Sequence, residues 1–353
     1  MSAAFGLAFD LRRVTQAGAA LTWTLLVSMG VVGLLSWRIE GQLLSPEGVA
    51  GAWYLISHAP LTPLSAFVWS CVMCGWWVGF AYLCAPVQRS AAMDIARDER
   101  DRNPSIPQLN RQAALVPLMV LILPGLCLLL LMLWSLLTYI PGIAGGVVVG
   151  LSLPIVLMVV VFGAAFLVVG AASAPLMGPA AVIEGRDHLE ALSRAMSYVM
   201  QRPGRYFAYL AAKLGVMAAS LAVGAATLAV LWGMVGGALW LVGQGDLARH
   251  AVQEAAANGA GTFEASPAAF AIGVVFWSSI FVLAAWWMVV GLSCDVLTYM
   301  LMRYRVDGVT FDKITVAEEQ LDKLKTAVET AAEAEAARQR HDAEQAESSE
   351  SAA

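Results

Sequence analysis

Six stretches of the chain are apolar at nearly every position rather than at every third or fourth: residues 18–37, 64–86, 113–140, 145–173, 207–242 and 269–302. A helix that is apolar all round needs apolar surroundings, and about 20 such residues at 1.5 Å each cross a hydrocarbon core of about 30 Å. Each run predicts a membrane-spanning helix, because backbone in lipid must satisfy its own N–H and C=O groups. A membrane barrel is excluded: its strands alternate apolar and polar residues, whereas Val116 to Ile140 is apolar on every face. The predicted fold is all-α, a polytopic membrane helix bundle with six transmembrane helices. Several runs exceed the minimum length, which implies tilt or extension beyond the bilayer. The third and fourth are joined only by residues 141–144 and must be antiparallel neighbours. Pro117, Pro124 and Pro154 inside them predict missing helical bonds and kinks.

The polar positions between the runs orient the bundle. Threaded in the simplest way, the runs leave 19 of the 21 Lys and Arg residues on one side, with only Arg38 and Arg249 on the other. Lys and Arg are retained on the cytoplasmic side, so both termini are expected in the cytoplasm, with Arg12 and Arg13 as topology anchors. The first run holds Trp23 and Trp37 and no small-residue cleavage site, so it reads as a membrane helix and not a signal peptide. Composition agrees: 59% hydrophobic, 13% charged and a mean hydropathy of +0.70 exclude a soluble fold of this length. The net charge of -5 resides beyond the last run, where 12 acidic residues face 7 basic ones from Arg303 onward. The chain thus divides into a membrane domain, 1–312, and an acidic cytosolic tail, 313–353. Thr315-x-x-Glu318 begins a predicted tail helix over 316–340, followed by a disordered end.

Small residues mark expected contact faces: Gly146-x-x-x-Gly150, Gly233-x-x-x-Gly237, and Ala218, Ala222 and Ala225. Trp37, Trp53, Tyr54, Tyr139 and Trp240 suggest an outer aromatic belt, and Tyr198, Tyr206, Tyr209, Tyr299 and Tyr304 an inner one. All five cysteines fall within predicted spans, and Cys71-x-x-Cys74 has no second pair to complete a metal site, so the thiols read as small apolar filler. His58 and His250, one in each outer loop (38–63 and 243–268), read as solvated side chains rather than metal ligands.

Between the fourth and fifth runs lies an insert, 174–206, with an amphipathic cytosolic helix. Asp187 is expected to cap it, Leu189, Leu192, Met196 and Val199 to form its apolar stripe, and Pro203 to stop it. The insert carries Glu184-Gly185-Arg186-Asp187, Ala191-Leu192-Ser193-Arg194 and Ser197-Tyr198-Val199-Met200-Gln201-Arg202-Pro203. In these elements, and more weakly in Leu301 to Gly308 and Arg89 to Arg100, the chain resembles a family of uncharacterised multi-pass bacterial membrane proteins. More distantly, the Glu-Gly and Ala-Leu insert is similar to the membrane domain attached to some glycerophosphodiester phosphodiesterases. That domain is not the hydrolase, so the resemblance implies no catalytic residues.

Two sets of residues stand out. Lys213 and Asp295 are ionisable groups within spans, each about 10–12 Å from the cytoplasmic boundary, so they can form an intramembrane ion pair. Glu184, Arg186, His188 and Arg194 of the insert, with Arg97, Arg100 and Arg102 of the second loop, form a candidate cytosolic interface for an anionic headgroup or an acidic partner segment. No HExxH, GxSxG or phosphate-binding glycine loop is present. The expectation is a non-enzymatic scaffold or partner-binding subunit of the inner membrane, without metal or cofactor. Its partners would be the bilayer and another membrane or cytosolic protein, with no nucleic acid. The alternative is a transporter or permease component.

Overall fold

The computed structural model describes residues 10–41, 46–58, 63–97, 107–136, 143–184, 187–241 and 267–309, with 246, 250 and 253 as single positions. The tail helix expected at 316–340, most of the 243–268 loop, Arg100, Arg102 and Arg186 lie outside the described residues. In chain order the helices are α1 (Leu11–Glu40), α2 (Pro46–His58), α3 (Pro63–Arg97), α4 (Pro107–Ser135), α5 (Ile143–Glu184), α6 (His188–Gln201), α7 (Pro203–Leu241) and α8 (Pro267–Asp307). All but α2 and α6 are long and apolar enough to cross a membrane. The protein is an all-α polytopic membrane helix bundle with an amphipathic helix between its fourth and fifth spans.

Helix ends follow local chemistry. The Asp10 carboxylate accepts the Arg12 N–H at 3.0 Å and opens α1. Gly41 (φ 72°) and Gly308 (φ 70°) take the left-handed conformation that closes α1 and α8, each donating its N–H to the carbonyl four residues back. Pro203 sits in the first turn of α7, where its missing N–H leaves no gap.

α5 runs further than its sequence suggests. Residues 174–184 read as part of the insert because of Pro175, Gly178 and Pro179, yet they continue the helix. Leu176, Met177, Ala180, Ala181, Val182 and Ile183 are all buried, so tertiary packing overrides the breakers. At 42 residues α5 is about 63 Å long and must project from the bilayer.

α8 is the axis of the bundle. Half of its most apolar window is buried, against 6% for α7, and it packs on α1, α3, α5, α6 and α7. One core gathers the α6 end of the bundle: Val116, Leu176, Leu192, Val199, Val296 and Met300 come together there from four helices. A second joins α1, α3 and α8 through Ala17, Ala20, Val87, Val289 and Val290. Away from these cores the helices turn large apolar side chains outward, as Leu128, Leu151, Met158, Leu214 and Met234 show. α7 packs chiefly along α8 and, at its start, α6.

The close approaches differ from those expected. At Gly150, Gly233 and Gly237 an added methyl group would meet nothing within 4 Å, and Ala218, Ala222 and Ala225 are exposed, so these faces make no close contact among the described residues. The backbone comes close instead at Gly79, against the Trp23 indole, and at Gly178, against the Gln88 carboxamide. Trp23 cannot retreat freely, because its Nε1 donates to the Trp76 carbonyl at 3.1 Å. Gly79→Ala is therefore expected to destabilise the bundle by about 1–3 kcal/mol through overpacking. Gly237→Ala should be close to neutral, and thermal unfolding of both variants in detergent makes the comparison.

Candidate functional site

At the α6 end, α8 carries Asp295, Tyr299, Arg303 and Asp307, each four residues after the last. An i+4 row advances about 40° per step around an α-helix, so the ridge winds slowly and meets different neighbours in turn. Asp295 meets α7: Lys213 Nζ donates to its Oδ1 at 2.6 Å, with both side chains largely buried. Tyr299, fully buried, meets α5 and donates its hydroxyl to Glu184 Oε1. Arg303 faces the same carboxylate, its Nε 3.9 Å from Glu184 Oε1. Asp307 meets α6 and accepts the Tyr198 hydroxyl.

Glu184 is the hub of this arrangement. It is the last residue of α5, where the helix dipole is negative and a carboxylate is disfavoured, and it is 5% exposed. Such a charge persists only if paired. Arg194 of α6 supplies the main compensation, its guanidinium lying 2.6 Å from Glu184 Oε2 and 3.0 Å from Glu190 Oε1. Burial would lower the Arg194 pKa, but the Glu184 carboxylate and its other neighbours outweigh it and the net shift is upward, so the guanidinium stays charged. Burial, followed by the hydrogen bond to Asp307, pushes the Tyr198 phenol up, and it remains a protonated donor.

The contacts come from how α6 lies. Its buried residues are Ala191, Leu192, Ala195, Tyr198 and Val199, a stripe rotated from the one expected. Leu189 points outward and is 58% exposed, while the alanines let the helix sit close on its neighbours. Asp187 holds the N-cap position but makes no capping bond with its side chain, which instead lies 3.6 Å from His188 Nδ1. Tyr198, Tyr206 and Tyr299 are not belt residues either. All three are buried, and Tyr206 donates to the Ala172 carbonyl of α5.

The structure thus brings Lys213 to Asp295 and Arg194 to Glu184. It pairs the partly exposed Arg194 with the buried Glu184 carboxylate and leaves His188 partly exposed beside Asp187. Arg97 ends α3, its side chain outside the described residues, so the triple-arginine side of the candidate interface has no described geometry. Four participants, Tyr198, Tyr299, Arg303 and Asp307, escape sequence reasoning, though the four-residue spacing on α8 is a signal that could find the three on that helix. Arg13 is more than a topology anchor. It is 2% exposed and ties α1 to α3 through Ser90 Oγ at 2.6 Å, the Ser90 carbonyl at 3.2 Å and the Asp94 carboxylate.

Beside Asp295 lies a cavity of about 120 Å³ at the junction of α3, α4, α5 and α8, bordered by Cys84, Gln88, Ala113, Pro175 and Gly178. A larger apolar groove of about 680 Å³ is lined by residues of α7, α8 and the start of α1. Comparison of the chain with protein-family models, curated proteins and solved structures finds no match, so the site is read from its own geometry. Asp295→Asn would leave Lys213 buried without a counter-charge and is expected to cost about 3 kcal/mol. Glu190→Gln removes only an i,i+4 pair at the surface and should cost about 0.5 kcal/mol or less. Equal unfolding temperatures for the two variants would contradict the assignment of Asp295 as a buried, paired charge.

Proposed function

We propose that this protein is a non-enzymatic, partner-binding scaffold of the bacterial inner membrane, with both termini in the cytoplasm. The orientation is supported by the gathering of Arg13, Arg194 and Arg303 on the elements that meet at the α6 end. One observation carries the role. Gly215, Ala218, Ala222, Ala225, Ala229 and Gly233 recur at three- and four-residue intervals on α7, and every one is exposed. They lie on the side away from Lys213, Met217, Gly224 and Trp232, through which α7 packs on α8. The seam extends over about 18 helical positions, about 27 Å, close to the thickness of the hydrocarbon core.

Small residues gain little against acyl chains, whereas they let a second helix approach within backbone contact. Large side chains flank the seam, among them Leu214, Leu221, Val230 and Met234, which gives α7 the relief of a groove between ridges. The fitting occupant is a transmembrane helix of a partner protein. The salt-bridged α6 end would hold α7 at a fixed angle for that encounter, and the acidic tail would add a second, cytosolic contact.

A second reading, a transporter component, is favoured by the cavity beside Asp295, which places polar groups at membrane depth. A photo-crosslinking residue at position 222, activated in native membranes, separates the two. The scaffold reading expects a discrete protein adduct that is lost when Ala218 and Ala225 are replaced by Phe, with the fold retained because both positions are exposed. Adducts with lipid alone would refute it.

A further inference from the structure

The apolar groove along α7 and α8 has a floor where the two helices touch. An added methyl group at Gly224 of α7 would collide with Leu283 of α8 and press on Trp286, so the backbones come close there. Further along, Trp232 Nε1 donates to Ser279 Oγ at 3.1 Å and joins the helices again. Around these contacts Val223 and Leu231 of α7 and Val275 and Val282 of α8 line the groove yet stay exposed. Leu11 and Val14 line it as well, so it reaches the first turn of α1. At 1.5 Å per residue Val275 and Trp286 lie about 16 Å apart along α8, close to one leaflet's share of a hydrocarbon core of about 30 Å. The volume of about 680 Å³ falls within the range of about 300–1,000 Å³ typical of ligand pockets.

The polar atoms of the groove narrow the choice of occupant. Three hydroxyls line it, and each donates to a carbonyl of its own helix: Thr227 to Val223 at 2.9 Å, Ser278 to Val274 at 2.7 Å and Ser279 to Phe276 at 2.6 Å. A bound water needs about two to four polar partners, and an extended peptide needs one for every N–H and C=O. These walls suit neither. An acyl chain requires no hydrogen bond and gains dispersion contacts from every wall it touches. Charge marks one end. Arg12 is exposed in the first turn of α1, next to Leu11. Of the carboxylates there, Asp10 accepts the Arg12 N–H at 3.0 Å and lies 4.0 Å from Arg13 Nε, and Asp94 is held by Arg13. Both are engaged by the α1 backbone or by Arg13, and the Arg12 guanidinium brings to this end a charge complementary to a phosphate.

We propose that this groove binds one anionic phospholipid, with an acyl chain lying along α7 and α8 and the phosphate meeting Arg12 of α1. The chain packs over the contacts at Gly224 and Trp232 and steadies α7 against α8. An anionic headgroup is preferred because the guanidinium attracts its net charge, which a zwitterionic lipid lacks. The leaflet that supplies the lipid rests on the orientation proposed above. The groove itself does not, and it is independent of the α7 seam, which lies on the side of that helix away from Gly224 and Trp232.

Native mass spectrometry of the purified full chain in detergent, titrated with palmitoyl-oleoyl phosphatidylglycerol, tests it. The first lipid should bind about tenfold more tightly than the next, which separates a discrete site from general adhesion. Thr227→Phe and Ser278→Phe, at exposed positions lining the groove, should fill it and abolish that gap. Leu151→Phe, on the exposed face of α5, should leave the gap intact. If one filling variant does not fold, the other decides the matter. Phosphatidylcholine with the same chains should bind the first site about fivefold more weakly, and Arg12→Gln should remove the difference. A photo-crosslinking residue at position 227, activated in native membranes, identifies the occupant, and a lipid adduct is expected. An adduct to residues 1–9 of the chain, or to another protein, overturns the proposal. So does the absence of a tighter first site, or its survival when the groove is filled. A phosphatidylglycerol preference untouched by Arg12→Gln overturns the phosphate contact.

Discussion

Charge and hydroxyl groups placed inside an apolar bundle have to find their partners inside it, and here that constraint falls on one helix. The row Asp295, Tyr299, Arg303 and Asp307 on α8 brings polar atoms to Lys213 of α7, Glu184 of α5 and Tyr198 of α6. A row at four-residue spacing rotates as it descends, which is why a single ridge can join three helices instead of one. Lipid offers no replacement for any of these partners, so each contact that fails leaves a desolvated group behind. The α6 end is therefore held by a set of bonds that stand or fall together, and the apolar packing around Tyr299 and Tyr206 closes over them.

The opposite end is built on different terms. Between apolar helices and apolar lipid there is little gain from burying one more leucine, so helices separate wherever polar bonds or close backbone approach do not hold them. α7 shows both regimes. Near Lys213 it is tied to α8 by charge, and at Gly224 it comes up against Leu283 and Trp286. On its far side it presents exposed small residues. A helix fixed on one face and bare on the other is suited to receiving another helix, and the fixed α6 end sets the direction in which it does so.

Much of this is legible in the sequence, and what is not has a physical cause. The six spans can be read because they are apolar on every face, a pattern that depends on no neighbour. Lys213 and Asp295 can be matched because depth follows from counting residues to a helix end, and the structure sets them in contact. Orientation about a helix axis cannot be counted in the same way. Periodicity puts the α6 stripe on Leu189, Leu192, Met196 and Val199; the structure buries Leu192 and Val199 and packs Met196 on the core, but turns Leu189 out and uses the alanines at 191 and 195, uninformative as hydrophobes, in its place. The tyrosines at 198, 206 and 299 resemble belt residues because an amphipathic ring suits an interface and a buried hydrogen bond equally well. Residues 174–184 fall to the insert in the sequence because their prolines and glycine are local signals, whereas the burial that keeps them helical comes from α3, α4, α6 and α8.

The members of the ridge are not equivalent, and the difference bears on what the protein does. Glu184 is met by Arg194, Tyr299 and the approaching Arg303, so its carboxylate is enclosed by donors and has no direction left in which to act. Asp295 has Lys213 on one side and a cavity on the other. A bond serving stability alone would favour closing that space, because packed apolar atoms stabilise more than a void. Gly178 leaves room on α5 for the Gln88 carboxamide of α3, and Pro117 on α4 withholds a helical donor from the Ala113 carbonyl. Residues of α3, α4 and α5 border this small volume beside Asp295, which sets the position apart from the clamp at Glu184.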